Sequence, residues 1–212
     1  MTERAEQAAP IKCRLCSRPM TTPLVCDYCH SMFPKAATGS DYFTLVGLPR
    51  QFDLDEEELR RKFFALNRHA HPDQHANESP EVQRLSLAVS ATINDAYRTL
   101  KDPASRAAYL LELLGGKSSA EDKSVPDGFL GTMMMMQEEI EDAKSAGNAE
   151  ELGRLGDVLR TQHDGLMRRV AGLFEELTPA SACEAVRADL LGEIRKHLNA
   201  VSYVRKLRSL IA

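Results

Sequence analysis

The 212-residue chain is long enough for two or three small domains, and its 27 basic and 31 acidic residues give a net charge of -4. This charge excludes general binding of nucleic acid through electrostatic attraction. With 43% hydrophobic residues, 6% aromatic residues and no Trp, the composition favours helices packed by Leu, Ala and Met. Because the sequence contains neither a membrane-length apolar run nor a secretory signal, we expect no membrane contact and a cytoplasmic location.

Four of the five cysteines form two pairs near the start of the chain, Cys13-x-x-Cys16 and Cys26-x-x-Cys29. In a reducing compartment this spacing predicts metal binding rather than disulfides. Four thiolates complete a closed tetrahedral shell, which predicts one structural zinc ion, and an iron-sulfur cluster could use the same sulfurs. The zinc is expected to stabilise a segment too small to fold alone. We expect His30 to be a bystander rather than a ligand.

Composition divides the chain into segments. Residues 1–40 hold the cysteine pairs and several turn-forming residues, residues 41–115 show helical periodicity, and residues 127–212 carry longer helical patterns. Residues 116–126 are polar and rich in residues that favour loops, which predicts a linker. The sequence therefore predicts an all-α protein with a small zinc-binding knuckle, a helical domain and a C-terminal three-helix bundle.

The second helix of the middle region is expected to begin near Asp53 and to end before Pro72, because proline disfavours a helical conformation in the residue before it. His71-Pro72-Asp73 therefore lies at a loop tip. A third helix is predicted over residues 82–101. The residues available to pack these helices together are Leu59, Phe63, Leu66 and Ala70 on the second, and Ala88, Ala91, Ile93, Ala96, Tyr97 and Leu100 on the third.

The histidines around this loop offer one interpretation. His69-x-His71-x-Asp73-x-His75 nearly matches the HxHxDH ligand pattern of metallo-hydrolases, but Gln74 separates Asp73 from His75 and a predicted helix precedes the motif. A metallo-hydrolase would need a metal ion here in addition to the zinc. A further alternative is a zinc-dependent nucleic-acid adaptor built on residues 1–40, which carry five basic and three acidic residues.

The same loop carries a more specific pattern. His71-Pro72-Asp73, between a basic helix and a second long helix, resembles the J domain, which stimulates ATP hydrolysis by DnaK-type chaperones. DYFTLVGLP at 41–49, INDAYRTL at 93–100 and DPASR at 102–106 match that domain as well. The resemblance assigns ATPase stimulation to the His-Pro-Asp motif and implies that the chain is not an enzyme.

Docking on the chaperone is expected of the basic side of the second helix. Phe64 and Ala65 stand where a generic J domain has basic residues. The prediction therefore rests on the basic residues around them, which are Arg60, Arg61, Lys62 and Arg68.

Other segments point to one branch of J-domain proteins. DYFTL at 41–45, SATIN at 90–94 and RAAYLLELLG at 106–115 resemble the HscB type, also called the Jac type. The resemblance covers about residues 41–212. It implies a co-chaperone of iron-sulfur cluster assembly with two partners, a HscA-type chaperone ATPase and an IscU-type scaffold protein. A tetracysteine segment ahead of the J domain is familiar from eukaryotic members.

Three helices are predicted in the C-terminal region. The first starts near residue 127, and the others span about residues 150–177 and 183–210. Turns are predicted at Gly147-Asn148 and Thr178-Pro179. Four consecutive methionines occupy positions 133–136 of the first helix. They cannot all face one core, so one or two should be exposed. Cys183 is expected to be a small core residue.

The family resemblance implies that the scaffold docks on the first helix of this bundle together with an aromatic residue of the last helix. The matching residues are Leu130, Met134, Met135, Glu138, Asp142 and Tyr203. Gly131 stands where a large apolar residue is usual, and Met135 stands where an acid is usual. The sequence does not predict an oligomeric state.

Overall fold

The computed structural model describes residues 11–177 and 183–211, and within these ranges it contains seven α-helices and two short strands. The chain divides after Asp102 into two compact units. The predicted all-α fold is confirmed, whereas the predicted domain boundaries stay predictions. The Thr178-Pro179 turn and the first ten residues of the predicted knuckle segment lie outside the described residues.

The knuckle, residues 11–40, has very little apolar interior. Strand β1 (Ile11–Lys12) pairs antiparallel with β2 (Pro19–Met20). Its own buried cluster consists of Cys13, Met20 and Cys26, with Cys16 and Phe33 partly buried against it. Two of the three buried residues are cysteines, so apolar packing alone is too small to hold this segment.

Three helices complete the first unit: α1 (Tyr42–Val46), α2 (Glu56–Ala70) and α3 (Pro80–Lys101). The Asp41 carboxylate accepts the N–H of Thr44 and so caps α1. Helix α2 begins later than predicted from Asp53, because Asp55 is its N-cap and accepts two amide hydrogens of the first turn. Three glutamates fill that turn, where negative charge is favourable.

Helices α2 and α3 pack partly through polar contacts. The Ser86 hydroxyl donates to the carbonyl of Ala70 (2.8 Å), and Phe63 stacks on Tyr97 with ring centroids 4.1 Å apart. Ser86, Val89 and Ser90 are buried on α3, whereas the predicted Ala88 and Ala91 are exposed. The prediction of those two alanines was wrong because they lie off the buried stripe of Val89, Ile93, Ala96 and Leu100, which are spaced 0, 4, 7 and 11.

The second unit contains α4 (Pro103–Leu113), α5 (Phe129–Ser145), α6 (Ala149–Glu176) and α7 (Glu184–Ile211). The buried residues shared by α5, α6 and α7 are Met133, Met136, Ile140, Ala143, Leu155, Leu159, Val204 and Leu207. Helix α4 packs against α6 and α7. Among the described helices, none is both long and apolar enough to cross a lipid bilayer.

The sequence predicts the burial of some of the consecutive methionines and of Cys183 in this unit. Two of the four consecutive methionines are buried and two are exposed, as predicted. The expectation that Cys183 belongs to a core was wrong, because Cys183 precedes the first turn of α7 and is exposed. The polar stretch 116–126 is attached to α7, since the Asn199 amide donates to the carbonyls of Asp122 (2.9 Å) and Ser124 (2.8 Å).

Candidate functional site

The four paired cysteines converge on one point. All four sulfur atoms lie within 4.8 Å of one another, and the Cys13–Cys29 and Cys16–Cys26 sulfur distances are both 3.6 Å. A tetrahedral zinc site with Zn–S bonds of about 2.3 Å has sulfur–sulfur edges of about 3.8 Å. The described sulfurs therefore fit one four-coordinate ion of this size, and their softness suits zinc.

Both CxxC turns have the same backbone arrangement. In the first, the Ser17 N–H donates to the carbonyl of Cys13 (2.9 Å), and in the second, the His30 N–H donates to the carbonyl of Cys26 (3.0 Å). Ser17 and His30 both adopt left-handed backbone angles, with φ of 60° and 57°. Such angles are uncommon for residues other than Gly, Asn, Asp and His. Ser17 therefore holds a conformation that its residue type does not favour, whereas His30 is of a type that is enriched in it.

The thiols shift one another's pKa values in opposite directions. The hydroxyl and amide of Ser31 lower the pKa of Cys29 to about 6. At Cys16 the amide of Arg18 acts to lower the pKa, but burial and the neighbouring thiols outweigh it and raise the pKa to about 12. Four thiols this close cannot all ionise on their own, and a bound divalent cation supplies the charge that allows it.

The loop between α2 and α3 presents His71 and Asp73 to solvent. Pro72 opens a 3₁₀ turn that extends to His75. His71 Nδ1 accepts the N–H of Asp73 (3.2 Å) and lies 3.5 Å from the Asp73 carboxylate, whose side chain is 86% exposed. Because Nδ1 is the acceptor, neutral His71 carries its proton on Nε2, which is then available to donate to a partner.

Side-chain contacts hold both ends of this loop. The Gln83 amide donates to the carbonyls of Ala76 (3.0 Å) and Glu78 (2.9 Å), which attaches the far end to α3. His75 Nε2 lies 2.9 Å from the carbonyl of His69, so Nε2 is the donor in that bond. The loop is therefore fixed against both helices that flank it.

The histidines near the loop do not form a second metal site. Across the two described ranges, the four cysteines are the one group of three or more Cys, His, Asp or Glu residues whose ligand atoms cluster. His75 bonds to a carbonyl, and the ring of His69 stacks on His30 with centroids 3.8 Å apart and planes 10° apart. The geometry therefore does not support the metallo-hydrolase interpretation.

Sequence reasoning missed the contact between His30 and His69. His30 is not one of the clustered ligands, but its ring lies flat against α2. Burial lowers the pKa of His69, and the charges of His30 and Arg68 lower it further. No local pattern indicates this contact, because the two histidines lie far apart in the sequence.

The predicted docking residues point in different directions. Arg60, Arg61 and Arg68 are exposed, and the side chain of Arg61 is 76% exposed. Lys62 is only 30% exposed, and its ammonium donates to the carbonyl of Gly47 at the end of α1. Lys62 therefore contributes to the packing of this unit. The three arginines are exposed to a partner, and Arg61 also lies 3.7 Å from the Glu58 carboxylate.

Phe64 is an exposed apolar residue among these arginines. It is 55% exposed, and the Arg60 guanidinium lies 5.7 Å from its ring centroid. The sequence indicated that position 64 is unusual, since a generic J domain has a basic residue there. Helix α2 thus combines charge with an aromatic ring on its solvent side.

The predicted scaffold-binding residues share the exposed side of α5. Leu130, Met134 and Met135 are 47%, 66% and 64% exposed, and Glu138 and Asp142 are exposed as well. Tyr203 of α7 packs edge-on against Phe129 at the start of α5, with ring centroids 6.3 Å apart. The structure therefore places the aromatic residue of the last helix beside the start of α5.

Matches to known families cover both helical parts of the chain. The DnaJ domain matches residues 41–109, and the HSCB C-terminal oligomerisation domain matches residues 125–211. The co-chaperone protein HscB homolog of Ralstonia nicotianae is 36% identical over 148 residues, which are 69% of this chain and 84% of that protein. The chain belongs to the HscB co-chaperone family. Its J domain indicates an Hsp70-type chaperone as partner.

Other HscB proteins agree with this assignment. Co-chaperone protein HscB of Proteus mirabilis is 35% identical over 134 residues, 60% of this chain and 78% of its own length. Chaperone HscB from Vibrio cholerae has a TM-score of 0.65 at 28% identity and covers 81% of this chain and 95% of its own. Human co-chaperone HscB has the same fold, with a TM-score of 0.74 at 24% identity over 95% of this chain and 96% of its own.

Proposed function

We propose that this protein stimulates the ATPase of a DnaK/HscA-type chaperone and delivers an IscU-type scaffold protein to it, in iron-sulfur cluster assembly and transfer. The observation that carries the proposal is the exposed His71-Pro72-Asp73 turn, fixed between α2 and α3 in a chain of the HscB family. The chain catalyses no reaction of its own. Its compartment is the cytoplasm, where reducing conditions keep the cysteines available as ligands.

Charge brings the two proteins together. Arg60, Arg61 and Arg68 are exposed on α2, and an acidic groove on the chaperone attracts them during diffusional encounter. The His-Pro-Asp turn then contacts the chaperone where its ATPase and substrate domains meet and favours the hydrolysis-competent state. Asp73 offers an exposed carboxylate and His71 an Nε2 proton, both suited to charge-assisted hydrogen bonds.

The scaffold binds the exposed side of α5. Met134 and Met135 form an adaptable apolar surface, Glu138 and Asp142 provide negative charge at its edge, and Tyr203 adds an aromatic ring. Because the same chain carries the ATPase-stimulating loop, a bound scaffold is tethered near the chaperone, and tethering raises its effective concentration.

Zinc has a structural role in this account. Cys13, Cys16, Cys26 and Cys29 would hold one ion, which cross-links the two CxxC turns of the knuckle. A full set of four thiolates leaves no coordination position for a substrate. The knuckle therefore supports the fold rather than providing a reaction centre.

Steady-state ATP turnover by the partner chaperone tests the stimulation. The full chain is expected to raise turnover, and Asp73→Asn is expected to reduce that stimulation by at least about tenfold, because it removes a charged hydrogen-bonding group. Asp157→Asn is the matched control, since Asp157 is an exposed aspartate of α6 with a side chain 71% exposed. Equal stimulation by the wild type and Asp73→Asn would refute the role of the loop.

Calorimetric titration with the scaffold protein tests the delivery surface. Met134→Ser and Met135→Ser should each weaken binding by about tenfold, because each removes exposed apolar area that the complex would bury. Gln137→Ser is the control, since Gln137 is exposed on α5 outside the proposed surface. If the methionine variants bind as tightly as the control, the scaffold docks elsewhere.

A further inference from the structure

The knuckle packs against α2, the helix that leads into the ATPase-stimulating loop. Leu24 and Val25 of the knuckle are buried, at 0% and 3% exposure, although neither belongs to its own small cluster. A cleft of about 150 Å³ lies between the knuckle and α2. The α2 residues that line it are spaced as one helical stripe: Lys62, Ala65, Leu66 and His69.

A close contact between the knuckle and the end of α1 lies beside this cleft. At Gly47, which ends α1 with a φ of 73°, an added Cβ would lie 3.1 Å from Thr22 Cγ2 and 3.2 Å from the carbonyl of Thr21. Lys62 donates to the carbonyl of the same glycine. Both the knuckle and α2 therefore contact the end of α1.

A second contact between the knuckle and α2 lies at the C-terminal end of the helix, next to the loop. The ring of His30 stacks on His69, and His69 lies one residue before the end of the helix. The position of His30 is set by the second CxxC turn, since His30 follows Cys29 and donates its N–H to Cys26. The carbonyl of His69 in turn accepts a hydrogen bond from His75, just beyond the His-Pro-Asp motif.

We propose that His30 and His69 are positioning residues for the ATPase-stimulating loop. The knuckle holds the last turn of α2 through this stack, and that turn holds the loop through His75. The inference rests on the proposed function, and it gives the knuckle a role beyond its own folding.

The physical reason lies in how helices end. The last four carbonyls of a helix have no partner within the helix, so the final turn frays unless other groups hold it. In α2, the carbonyl of His69 accepts from His75 and that of Ala70 accepts from Ser86. These bonds secure the turn on the side of the loop and α3, and the His30 ring covers the flank that would otherwise face water.

Amide hydrogen exchange of residues 71–75 in the full, zinc-loaded chain tests the inference without the chaperone. His30→Asn removes the ring of His30 but keeps a residue that tolerates a left-handed backbone. His69→Gln removes the other ring of the stack without changing any residue of the knuckle. Loss of an aromatic stack predicts roughly two- to tenfold faster exchange in the loop. His69→Tyr keeps a stacking ring on the helical backbone of α2 and should leave exchange as slow as in the wild type.

Function provides the second measurement. In both ring-removing variants the maximal ATPase stimulation should fall, whereas the co-chaperone concentration for half-maximal stimulation should change less than about twofold, because the exposed arginines are intact. His197→Gln on α7 is the control, since His197 bonds within its own helix. Zinc content of one ion per chain and an unchanged melting temperature would separate positioning from unfolding.

Unchanged loop exchange in both His30→Asn and His69→Gln would overturn the inference. Faster exchange without any loss of ATPase stimulation would also overturn it, because holding the loop in place would then have no effect on stimulation. If the wild-type protein itself fails to stimulate the chaperone, the proposed function fails, and the exchange comparison still decides whether the knuckle holds the loop.

Discussion

The knuckle and the C-terminal bundle are stabilised in different ways. The knuckle has two strands of two residues each and a buried cluster of three residues, two of them cysteines of the sulfur cluster. The bundle has two helices of 28 residues and an interior of Met, Ile, Leu and Val side chains. In the function we propose, a metal ion would stabilise the knuckle, whereas apolar burial stabilises the bundle.

This difference matters for function because each partner is assigned to a different kind of structure. The His-Pro-Asp loop, to which we assign ATPase stimulation, lies in the first unit, next to a helix that contacts the knuckle. The proposed scaffold surface lies on α5, whose opposite side is buried in the apolar bundle. Conditions that remove metal should therefore affect the two partners unequally.

Metal removal gives the largest expected effect. Structural zinc contributes roughly 10–16 kcal/mol to the folding of isolated zinc-finger peptides, so chelation should unfold the knuckle. Amide protection of residues 13–33 should be lost, whereas the bundle helices and scaffold affinity should remain. If the bundle loses its protection together with the knuckle, the two regions are not independent in the way we describe.

Substitutions on the two sides of α5 should separate packing from binding. Ile140 is completely buried, so Ile140→Ala should lower the free energy of unfolding by about 2–5 kcal/mol. Met135 is 64% exposed, and Met135→Ala should change it by less than about 0.5 kcal/mol. Chemical denaturation measures both, and similar losses in the two variants would contradict the assignment of the faces.

Asp41 should make the first unit sensitive to acid. Burial acts to raise the pKa of Asp41, but hydrogen bonds from Thr44 and Arg50 outweigh it and hold the pKa below its ordinary value. Its contribution to stability is therefore present above the unfolded-state pKa near 3.9 and lost as pH falls through the lower folded value.

Asp41→Asn tests this at two pH values. The variant should be less stable than the wild type by about 1 kcal/mol at pH 7, and the difference should shrink as pH falls from the unfolded-state pKa near 3.9 through the lower folded-state pKa. Chemical denaturation measures the free energy of unfolding of both proteins at each pH. Any loss of metal in acid affects both proteins and so cancels in their difference. A stability difference that persists unchanged in acid would show that the Asp41 charge is not responsible.

The smallest expected effect concerns Gly131 in the first turn of α5. A Cβ there would meet no atom within 4 Å, so a larger side chain can be accommodated. Gly131→Leu should raise the free energy of unfolding by a few tenths of a kcal/mol, since glycine is a poor helix former. It should also tighten scaffold binding in a calorimetric titration, and weaker binding would indicate that the surface avoids a large residue at this position.

Much of the fold follows from local sequence signals. Proline at position 72 ends α2, apolar spacing predicts the long helices, and two CxxC pairs predict the sulfur cluster, all of which the structure contains. The errors arose where tertiary contacts decide. Ser86 lies on the buried stripe of α3 although it is polar, because the carbonyl of Ala70 accepts its hydroxyl proton, and its residue type alone does not indicate that contact.

The site shows the same limit. The His-Pro-Asp loop and the exposed methionines follow from motifs and helical spacing, because both depend on neighbouring residues. The direction of Lys62 and the stack of His30 on His69 depend on how the knuckle and α1 pack against α2. Such contacts join distant parts of the chain, so no local pattern indicates them.

The central claim, that one chain couples the stimulating loop to the scaffold surface, is tested most directly by scaffold titrations of chaperone ATPase activity. The wild-type protein should lower the scaffold concentration for half-maximal turnover by at least about tenfold, because the scaffold is tethered. Asp73→Asn and Met134→Ser should each abolish this decrease. A decrease that persists in either variant would contradict the coupling.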